Sequence, residues 1–146
     1  MNKNELQNIL HTEIPLTQAM GIFVQRYNSN SLTLSAPLQP NINHKSTAFG
    51  GSLYSISVLA GWGLLYGKLM ERGIRGTIVI QKSSIDYKLP VEQDFSAICT
   101  IDDASQFERF VHTLQRKGRA RISLDVAISV NNCTAIAFGG TYVVFY

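Results

Sequence analysis

Residues 46–66 contain no charged side chain, and this segment constrains the fold more than any other part of the chain. Its length is sufficient to cross a bilayer. However, it holds four glycines and four serines, which make it too small and too polar for a lone membrane span. A helix that is apolar all round can instead be enclosed by other parts of its own protein. The segment therefore predicts an enclosed central helix that ends near Gly73.

The sequence on both sides of this helix predicts strands. Before it, residues 21–27 and 31–38 flank a polar turn and predict a hairpin, which follows a short helix capped by Asn4. After it, four further segments have the composition or the alternation of strands: residues 77–87, 95–101, 122–130 and 134–146.

A second, short helix is predicted between two of these strands. Ser105 and Glu108 form a capping-box pattern, and apolar residues follow at helical spacing until Gly118. Asn131 and Asn132 can adopt the positive φ of a tight turn, which predicts a hairpin between the last two strands.

The order of elements predicts the architecture. Sequential strands of this kind pair antiparallel, and one curved sheet wrapped around the central helix uses every element without a second layer. This arrangement is an α+β hot-dog fold. The chain has no repeats, low-complexity segments or linker, so a single domain is predicted over residues 1–146.

Charge content points to self-association and to a small anionic ligand. Charged residues make up 16% of the chain, below the roughly 25% typical of soluble domains, so we expect a homodimer or a dimer of dimers in which copies cover part of the surface. The net charge of +3 is mild, and its basic residues are scattered except between residues 116 and 121. This distribution favours a small anion over nucleic acid, which needs a broader basic stripe.

The two cysteines are too few for a disulfide framework and too far apart for a zinc site, so no metal is expected. Cys99 and Cys133 are both interpreted as small core residues. The N-terminal segment carries acidic residues in place of a basic region followed by an apolar run, and it is not a signal peptide. We expect a cytoplasmic protein with no membrane partner.

Three motifs resemble a known family. Residues 43–51, with the sequence Asn-His-Lys-Ser-Thr-Ala-Phe-Gly-Gly, resemble the loop that opens the central helix of small hot-dog thioesterases, where an Asn precedes a His-Gly-Gly element. Residues 85–90, with Asp94, resemble their next strand, and residues 117–120 with 138–142 resemble their last hairpin. The chain resembles the thioesterase domain at the C-terminus of some bacterial GNAT-type acetyltransferases.

The resemblance implies hydrolysis of an acyl-CoA in a site shared between protomers, with coenzyme A present as part of the substrate and no other cofactor. Asn43 matches the family's orienting Asn, and Gly50 matches the glycine whose backbone N–H meets the thioester carbonyl. Phe49 stands where the family often has His. The family's catalytic carboxylate falls near Val58, and this chain departs from the family by having no carboxylate there.

Two polar groups are candidates to replace this carboxylate, because no carboxylate lies between Lys45 and Glu71. Tyr54 lies one turn before Val58 on the same helix face, and Ser57 is the neighbour of Val58. His44 can shuttle a proton near neutral pH or can be a solvated loop residue.

The remaining candidates concern substrate binding and the helix start. Gly51 accompanies Gly50 at the start of the helix, where glycine lets a substrate approach the backbone. Ser46 and Thr47 are interpreted as helix caps, because no Ser-His-Asp arrangement surrounds them. Basic residues are the candidates for the phosphates of coenzyme A, with an ordinary solvated surface as the alternative: Lys82, Arg116, Lys117 and Arg119. His11 and His112 are expected at the surface.

Two further functions of different classes remain open. The missing carboxylate can mark a non-catalytic module that binds acyl-CoA or an acyl carrier. Alternatively, the chain can be a dimerisation domain for an acetyltransferase partner. An enzyme must release thiol, a binding module must retain its ligand without turnover, and a scaffold must do neither.

Overall fold

The computed structural model describes residues 1–146, which form four helices and six strands. A short 3₁₀ turn at Gln39–Asn41 precedes the central helix. The elements follow one another as α1 (Lys3–Glu13), α2 (Leu16–Ala19), β1 (Phe23–Asn28), β2 (Ser31–Ala36), α3 (Gly50–Glu71), β3 (Thr77–Tyr87), β4 (Phe95–Thr100), α4 (Ala104–Lys117), β5 (Arg119–Val130) and β6 (Cys133–Phe145).

The strands form one antiparallel sheet in the order β1-β2-β4-β5-β6-β3, and the sheet packs around α3. The prediction of an α+β hot-dog fold is confirmed. Half of the 22 residues of α3 are buried, because β2, β4, β5, β6 and β3 all contact it. None of the helices combines the length and apolar character needed to cross a membrane.

Strand pairing differs from the sequential pairing that the sequence suggested. β1 pairs with β2 and β5 pairs with β6, as predicted, whereas β3 and β4 do not pair. β3 lies at one edge of the sheet beside β6, and β4 lies between β2 and β5. A long helix separates β2 from β3, so the chain enters the sheet at its opposite edge after α3.

Side chains of β5 and β6 alternate between the two faces of the sheet along most of their length, although the odd-numbered Ala135 and Val143 are also buried. The even-numbered residues from Ala120 to Ile128 and from Ile136 to Val144 are buried against α3. We call the opposite side, formed by the odd-numbered residues 119–127 and 137–145 and their neighbours on β3, the outer face. Lys82 pairs with Thr141 and therefore belongs to the outer face.

Both predicted helix caps of the peripheral helices are wrong by two residues. Asn2, not Asn4, caps α1, with a reciprocal pair of hydrogen bonds to Glu5. Asp103 caps α4 by accepting hydrogen bonds from the backbone of Ser105 and of Gln106, so Ser105 lies inside the helix. The stop at Gly118 is confirmed, since this glycine has a φ of 72°.

The predicted caps of the central helix are also wrong. α3 begins at Gly50 after Phe49, and no side chain caps it. Ser46 instead lies in a turn with a φ of 62°, and Thr47 bonds to Asn43 within the preceding loop. The positive φ predicted for Asn131 and Asn132 is confirmed.

The two cysteines occupy different environments. Cys99 is buried in the core, as predicted, and this burial raises the pKa of its thiol to about 12. Cys133 is exposed at the start of β6, so its assignment to the core is wrong. Among the histidines, His112 is exposed as expected, whereas His11 is half-buried with Nε2 2.8 Å from the carbonyl oxygen of Ile22.

Candidate active site

The start of α3 offers two free hydrogen-bond donors. The backbone N–H groups of Gly50 and Gly51 donate to no carbonyl and to no side chain. They lie at the positive end of a 22-residue helix, where unpaired N–H groups favour negative charge. The ring of Phe49, which is mostly exposed, lies over Gly51. This end of the helix can therefore stabilise an oxygen that gains negative charge.

Buried hydrogen bonds fix the position of this helix end. The N–H of Phe49 donates to the carbonyl of Asn41, and the N–H of Ala48 donates to that of Val91, each at 2.7 Å. The buried amide of Asn41 donates in turn to the carbonyls of Met20 and Pro37. Sequence reasoning did not single out Asn41, because nothing local distinguishes it from the other asparagines of the loop.

Asn43 organises the loop that leads into α3. Its amide nitrogen donates to the hydroxyl of Thr47 at 2.8 Å, and its Oδ1 accepts hydrogen bonds from the backbone of Lys45 and of Thr47. His44 and Lys45 are exposed on the same loop. The geometry gives Asn43 a structural task, and its role as an orienter of substrate or water stays a prediction.

Two tyrosines link α3 to β3. The hydroxyl of Tyr54 lies 2.5 Å from that of Ser83, and its ring packs edge-on against Phe138. The hydroxyl of Tyr87 donates to the carbonyl of Gly50 at 2.9 Å. Burial raises the pKa of Tyr87 above its ordinary value, so the hydroxyl remains a donor further into the alkaline range. Sequence reasoning missed Ser83 and Tyr87, since only the register of β3 shows that they face α3.

Ser57 does not fit the role that its sequence position suggested. It is fully buried, and its hydroxyl donates to the carbonyl of Leu53 at 2.8 Å. Because successive helix residues are about 100° apart, Ser57 faces the core while Val58 faces the side lined by β3. Tyr54 is thus the predicted substitute for the carboxylate that lies on the correct helix face.

Two separate cavities lie beside α3, and they share no lining residue. The first, of about 250 Å³, lies at the helix start and is lined by Gly50, Leu53, Tyr87 and Lys88, among others. The second, of about 330 Å³, lies further along the helix and is lined chiefly by apolar groups, including Tyr54, Val58, Trp62, Ile80 and Tyr142. We call the two cavities together the α3–β3 groove.

The polar groups in the second cavity already have partners. The hydroxyl of Tyr142 donates to the carbonyl of Val58 at 2.7 Å, and the indole N–H of Trp62 donates to that of Ile78 at 3.2 Å. Trp62 also stacks on Tyr66, with ring centroids 5.1 Å apart. The cavity is therefore suited to an apolar chain, because such a chain displaces water without leaving a polar group unpaired.

Comparison with known proteins identifies the family. The family profile described as "Putative thioesterase (yiiD_Cterm)" matches residues 3–146. The chain belongs to this thioesterase family.

Solved structures of similar proteins agree with this membership. A protein of unknown function from Chlorobaculum tepidum TLS is 36% identical, with a TM-score of 0.94 over 98% of this chain and 93% of its own. A structure described as a "putative thioesterase" from Shewanella oneidensis is 29% identical, with a TM-score of 0.85 over 99% and 97% of the two chains. A thioesterase from Haemophilus influenzae, 12% identical with a TM-score of 0.77 over 99% and 91%, shares the fold.

The α3–β3 groove lacks the acidic group that the resemblance to hot-dog thioesterases predicts. No aspartate or glutamate lines either cavity. Val58, where the resemblance predicts the carboxylate, is half-buried and faces the second cavity. Asp86 of β3 and Glu92 of the loop that follows it line neither cavity.

The predicted phosphate-binding residues lie far from Gly50 in the same chain. Arg119 pairs with Phe145 and Phe145 with Thr77, which places Arg119 at the level where α3 ends. A helix of 22 residues is about 33 Å long. Arg116 and Lys117 precede Arg119 directly, and Lys82 belongs to the outer face. A single chain therefore does not bring these four residues to its own helix start, whereas Lys88 lines the first cavity.

Proposed function

We propose that the protein hydrolyses acyl thioesters of coenzyme A in the α3–β3 groove. The observation that carries this proposal is the pair of unpartnered N–H groups of Gly50 and Gly51 at the helix start, where Gly50 lines the first cavity. Water attacks the thioester carbonyl carbon, and the developing oxyanion accepts hydrogen bonds from these two groups. The carbon–sulfur bond then breaks, the thiolate of coenzyme A takes up a proton, and a carboxylic acid remains.

The acyl chain extends from the helix start towards Trp62. A cavity of about 150 Å³ encloses a benzene ring, so the second cavity, of about 330 Å³, suits chains of up to about twelve carbons. Trp62 is the last residue of α3 that lines it and is held by its hydrogen bond to Ile78. We expect medium-length, unbranched acyl groups as substrates.

The hydroxyl pair of Tyr54 and Ser83 orients the attacking water. These two groups meet between the helix start and the apolar cavity, at 2.5 Å from each other. A neutral tyrosine hydroxyl is a poor base. No aspartate or glutamate of the same chain lines the groove beside this pair.

The open edge of β3 supports a homodimer with shared sites. This strand of 11 residues pairs with β6 on one side and with nothing on the other. An exposed strand edge is a template for pairing with another chain. Antiparallel pairing with the same strand of a second copy, centred on the strand, brings Thr77 of that copy beside Tyr87 and closes the groove.

The same dimer brings the basic cluster of the second copy towards Gly50. In that copy, Arg119 lies two strands beyond Thr77, which corresponds to about 10 Å across the sheet. We propose that Arg116, Lys117 and Arg119 of one protomer meet the phosphates of coenzyme A bound at the helix start of the other. Lys88 contributes positive charge from the protomer that holds the thioester.

The test is the release of free thiol from a series of acyl-CoA substrates, from acetyl to palmitoyl. We expect turnover with a maximum at medium chain lengths. A series in which no member releases thiol above the rate of the buffer excludes the hydrolase.

The absence of a carboxylate from the groove favours one second candidate, a module that binds acyl thioesters without hydrolysing them. Calorimetry on the same acyl-CoA series separates the two functions. A binding module retains the intact thioester and releases no thiol, whereas the enzyme releases thiol continuously.

A further inference from the structure

A third cavity lies beside the C-terminal part of α3, outside the α3–β3 groove. Its volume is about 290 Å³, and we call it the far cavity. None of the site residues that the sequence predicted lines it. Arg75 and Gly76 contribute to its wall, but most of the wall consists of apolar or aromatic side chains: Tyr66, Leu69, Met70, Ile74 and Ile78.

The same helix and the same strand bound the far cavity and the second cavity of the groove. On α3, Trp62 lines the second cavity and Tyr66 lines the far cavity. Residues four apart lie on one face of a helix. On β3, Ile80 lines the second cavity and Ile78 lines the far cavity. Residues two apart lie on one side of a strand, so the two cavities are neighbours along the same side of α3.

A stacked pair of aromatic rings separates these two cavities. The ring centroids of Trp62 and Tyr66 are 5.1 Å apart, and their planes differ by 14°. Each ring lines one cavity, and no residue lines both. The partition between the cavities on the helix side is therefore no thicker than this pair.

The two rings of the pair are held to different degrees. The indole N–H of Trp62 donates a hydrogen bond to the carbonyl of Ile78. The hydroxyl of Tyr66 makes no hydrogen bond within the chain, whereas the hydroxyls of the other five tyrosines all do. Tyr66 is also only half-buried. Its ring can therefore be moved or removed without leaving a hydrogen-bond partner unpaired.

We propose that the far cavity is a second acyl-binding site, which the ring of Tyr66 closes, so that Tyr66 sets the upper limit of acyl-chain length. This inference rests on the proposed function, because it requires an acyl chain that lies in the second cavity and ends at Trp62. The occupant of the far cavity is the terminal part of a long, saturated chain. Such a chain suits the mainly apolar wall, since it brings no polar group that would lose its hydrogen bonds.

Calorimetry with dodecyl and hexadecyl thioethers of coenzyme A tests the proposal, because a thioether binds without being hydrolysed. Both are used below the concentrations at which they form micelles. For the native chain we expect similar affinities, since the extra methylene groups of the longer thioether stay in water. Tyr66→Ala is expected to raise the affinity for the hexadecyl thioether by about tenfold or more, because each newly buried methylene group contributes roughly fourfold. The affinity for the dodecyl thioether is expected to stay the same.

Two further variants serve as controls. Tyr66→Phe keeps the ring and removes only the unbonded hydroxyl, so it is expected to leave both affinities unchanged. Met70 is half-buried in the wall of the far cavity, and Met70→Trp fills that cavity from its own side. The double variant, Tyr66→Ala with Met70→Trp, is expected to lose the gain for the hexadecyl thioether. Thermal unfolding monitored by circular dichroism verifies that each variant is folded.

The outcomes separate this inference from the proposed hydrolysis. A folded Tyr66→Ala variant with the native affinity for the hexadecyl thioether overturns the inference, and so does a gain that persists in the double variant. Failure of both thioethers to bind overturns it as well, whatever the rate of thiol release from acyl-CoA. If no acyl-CoA is hydrolysed but Tyr66→Ala shows the gain, the far cavity stands as an acyl-binding site and the hydrolase does not.

Discussion

The hydroxyl of Tyr87 donates a 2.9 Å hydrogen bond to the carbonyl oxygen of Gly50 and so joins the last residue of β3 to the first residue of α3. Gly50 also carries one of the two free N–H groups at the helix start. An edge strand thus fixes the orientation of the backbone that the proposed reaction uses.

The first prediction follows from this contact. Tyr87→Phe removes the hydrogen bond and keeps the ring, and we expect kcat for acyl-CoA hydrolysis to fall about tenfold, equivalent to about 1.4 kcal/mol. KM changes less, since the oxyanion interaction strengthens in the transition state. Steady-state kinetics measure the effect. A kcat equal to that of the native chain shows that Gly50 keeps its orientation without Tyr87.

The loop before α3 provides a second prediction. Asn43→Ala is expected to lower kcat about a hundredfold, the cost of losing one oriented donor at a developing charge. His44→Ala is expected to cost tenfold or less, because His44 is exposed and only a positioned proton-transfer group contributes about a hundredfold or more.

Asn43→Asp separates catalysis from loop structure. The carboxylate keeps the acceptor for the backbone N–H groups of Lys45 and Thr47 and loses the amide donor. If this variant retains the native rate, Asn43 acts through the loop alone. Loss of turnover in His44→Ala with a native rate in Asn43→Ala contradicts the assignment of both residues.

A third prediction compares two hydroxyls on α3. Tyr54→Phe breaks the contact with Ser83 at the groove and is expected to lower kcat about tenfold. Ser57→Ala removes a buried hydroxyl bonded to Leu53 and is expected to alter the free energy of unfolding by about 1 kcal/mol, with little effect on rate. Urea unfolding and steady-state kinetics on both variants test this division. A fall in kcat for Ser57→Ala together with a native kcat for Tyr54→Phe would instead place Ser57 in the site.

Chain-length preference gives the fourth prediction. Trp62→Leu removes the ring at the far end of the apolar cavity and extends the space for the acyl chain. Two further buried methylene groups contribute about 1.6 kcal/mol, so kcat/KM for a longer substrate should rise roughly tenfold relative to that for a medium one. The acyl-CoA series measures the ratio. A preference that is unchanged in this variant places the acyl chain elsewhere.

The buried thiol of Cys99 gives a prediction about pH. Burial raises its pKa from 9.0 to about 12, so an unfolded chain loses this proton near pH 9 while the folded chain retains it. The resulting stabilisation is complete below about pH 9 and is lost as the pH rises towards 12. The free energy of unfolding should therefore fall over this interval.

Cys99→Ala isolates the contribution of the thiol. Burial also raises the pKa values of Tyr27 and Tyr142, so some alkaline destabilisation persists without Cys99. Urea unfolding at several values between pH 8 and pH 11 should show a shallower decline for the variant. Equal slopes for the native chain and the variant contradict the shifted pKa.

Local sequence patterns identified some residues at the start of α3 and missed others. The resemblance identified Gly50 and Tyr54 as candidates, and both lie along the α3–β3 groove. It also identified Asn43, whose side chain bonds within its own loop and whose contact with substrate or water stays a prediction. Ser57 was grouped with Tyr54 by proximity in sequence, but helical rotation directs it into the core. Only the register of β3 shows that Tyr87 and Ser83 face α3.

The sequence by itself determined the enclosed helix, the bounds of several strands and the buried face of each. These features follow from local order: a segment without charge must be covered by protein, and alternation with a period of two assigns a strand its inner side. Gly118 and the pair Asn131 and Asn132 marked chain reversals for the same reason, since their backbone conformations are decided locally.

Only the tertiary structure decided which strands are neighbours and which distant residues meet. β3 leaves α3 and joins β6 at the far edge, so Tyr87 reaches Gly50 while Arg119 lies at the other end of the helix. Strand order depends on how the chain crosses the ends of the central helix. The contacts between strands that are distant in sequence leave no periodic pattern in it. The outer face is decided in the same way, because register alone aligns Arg121 with Val143 and Asp125 with Gly139.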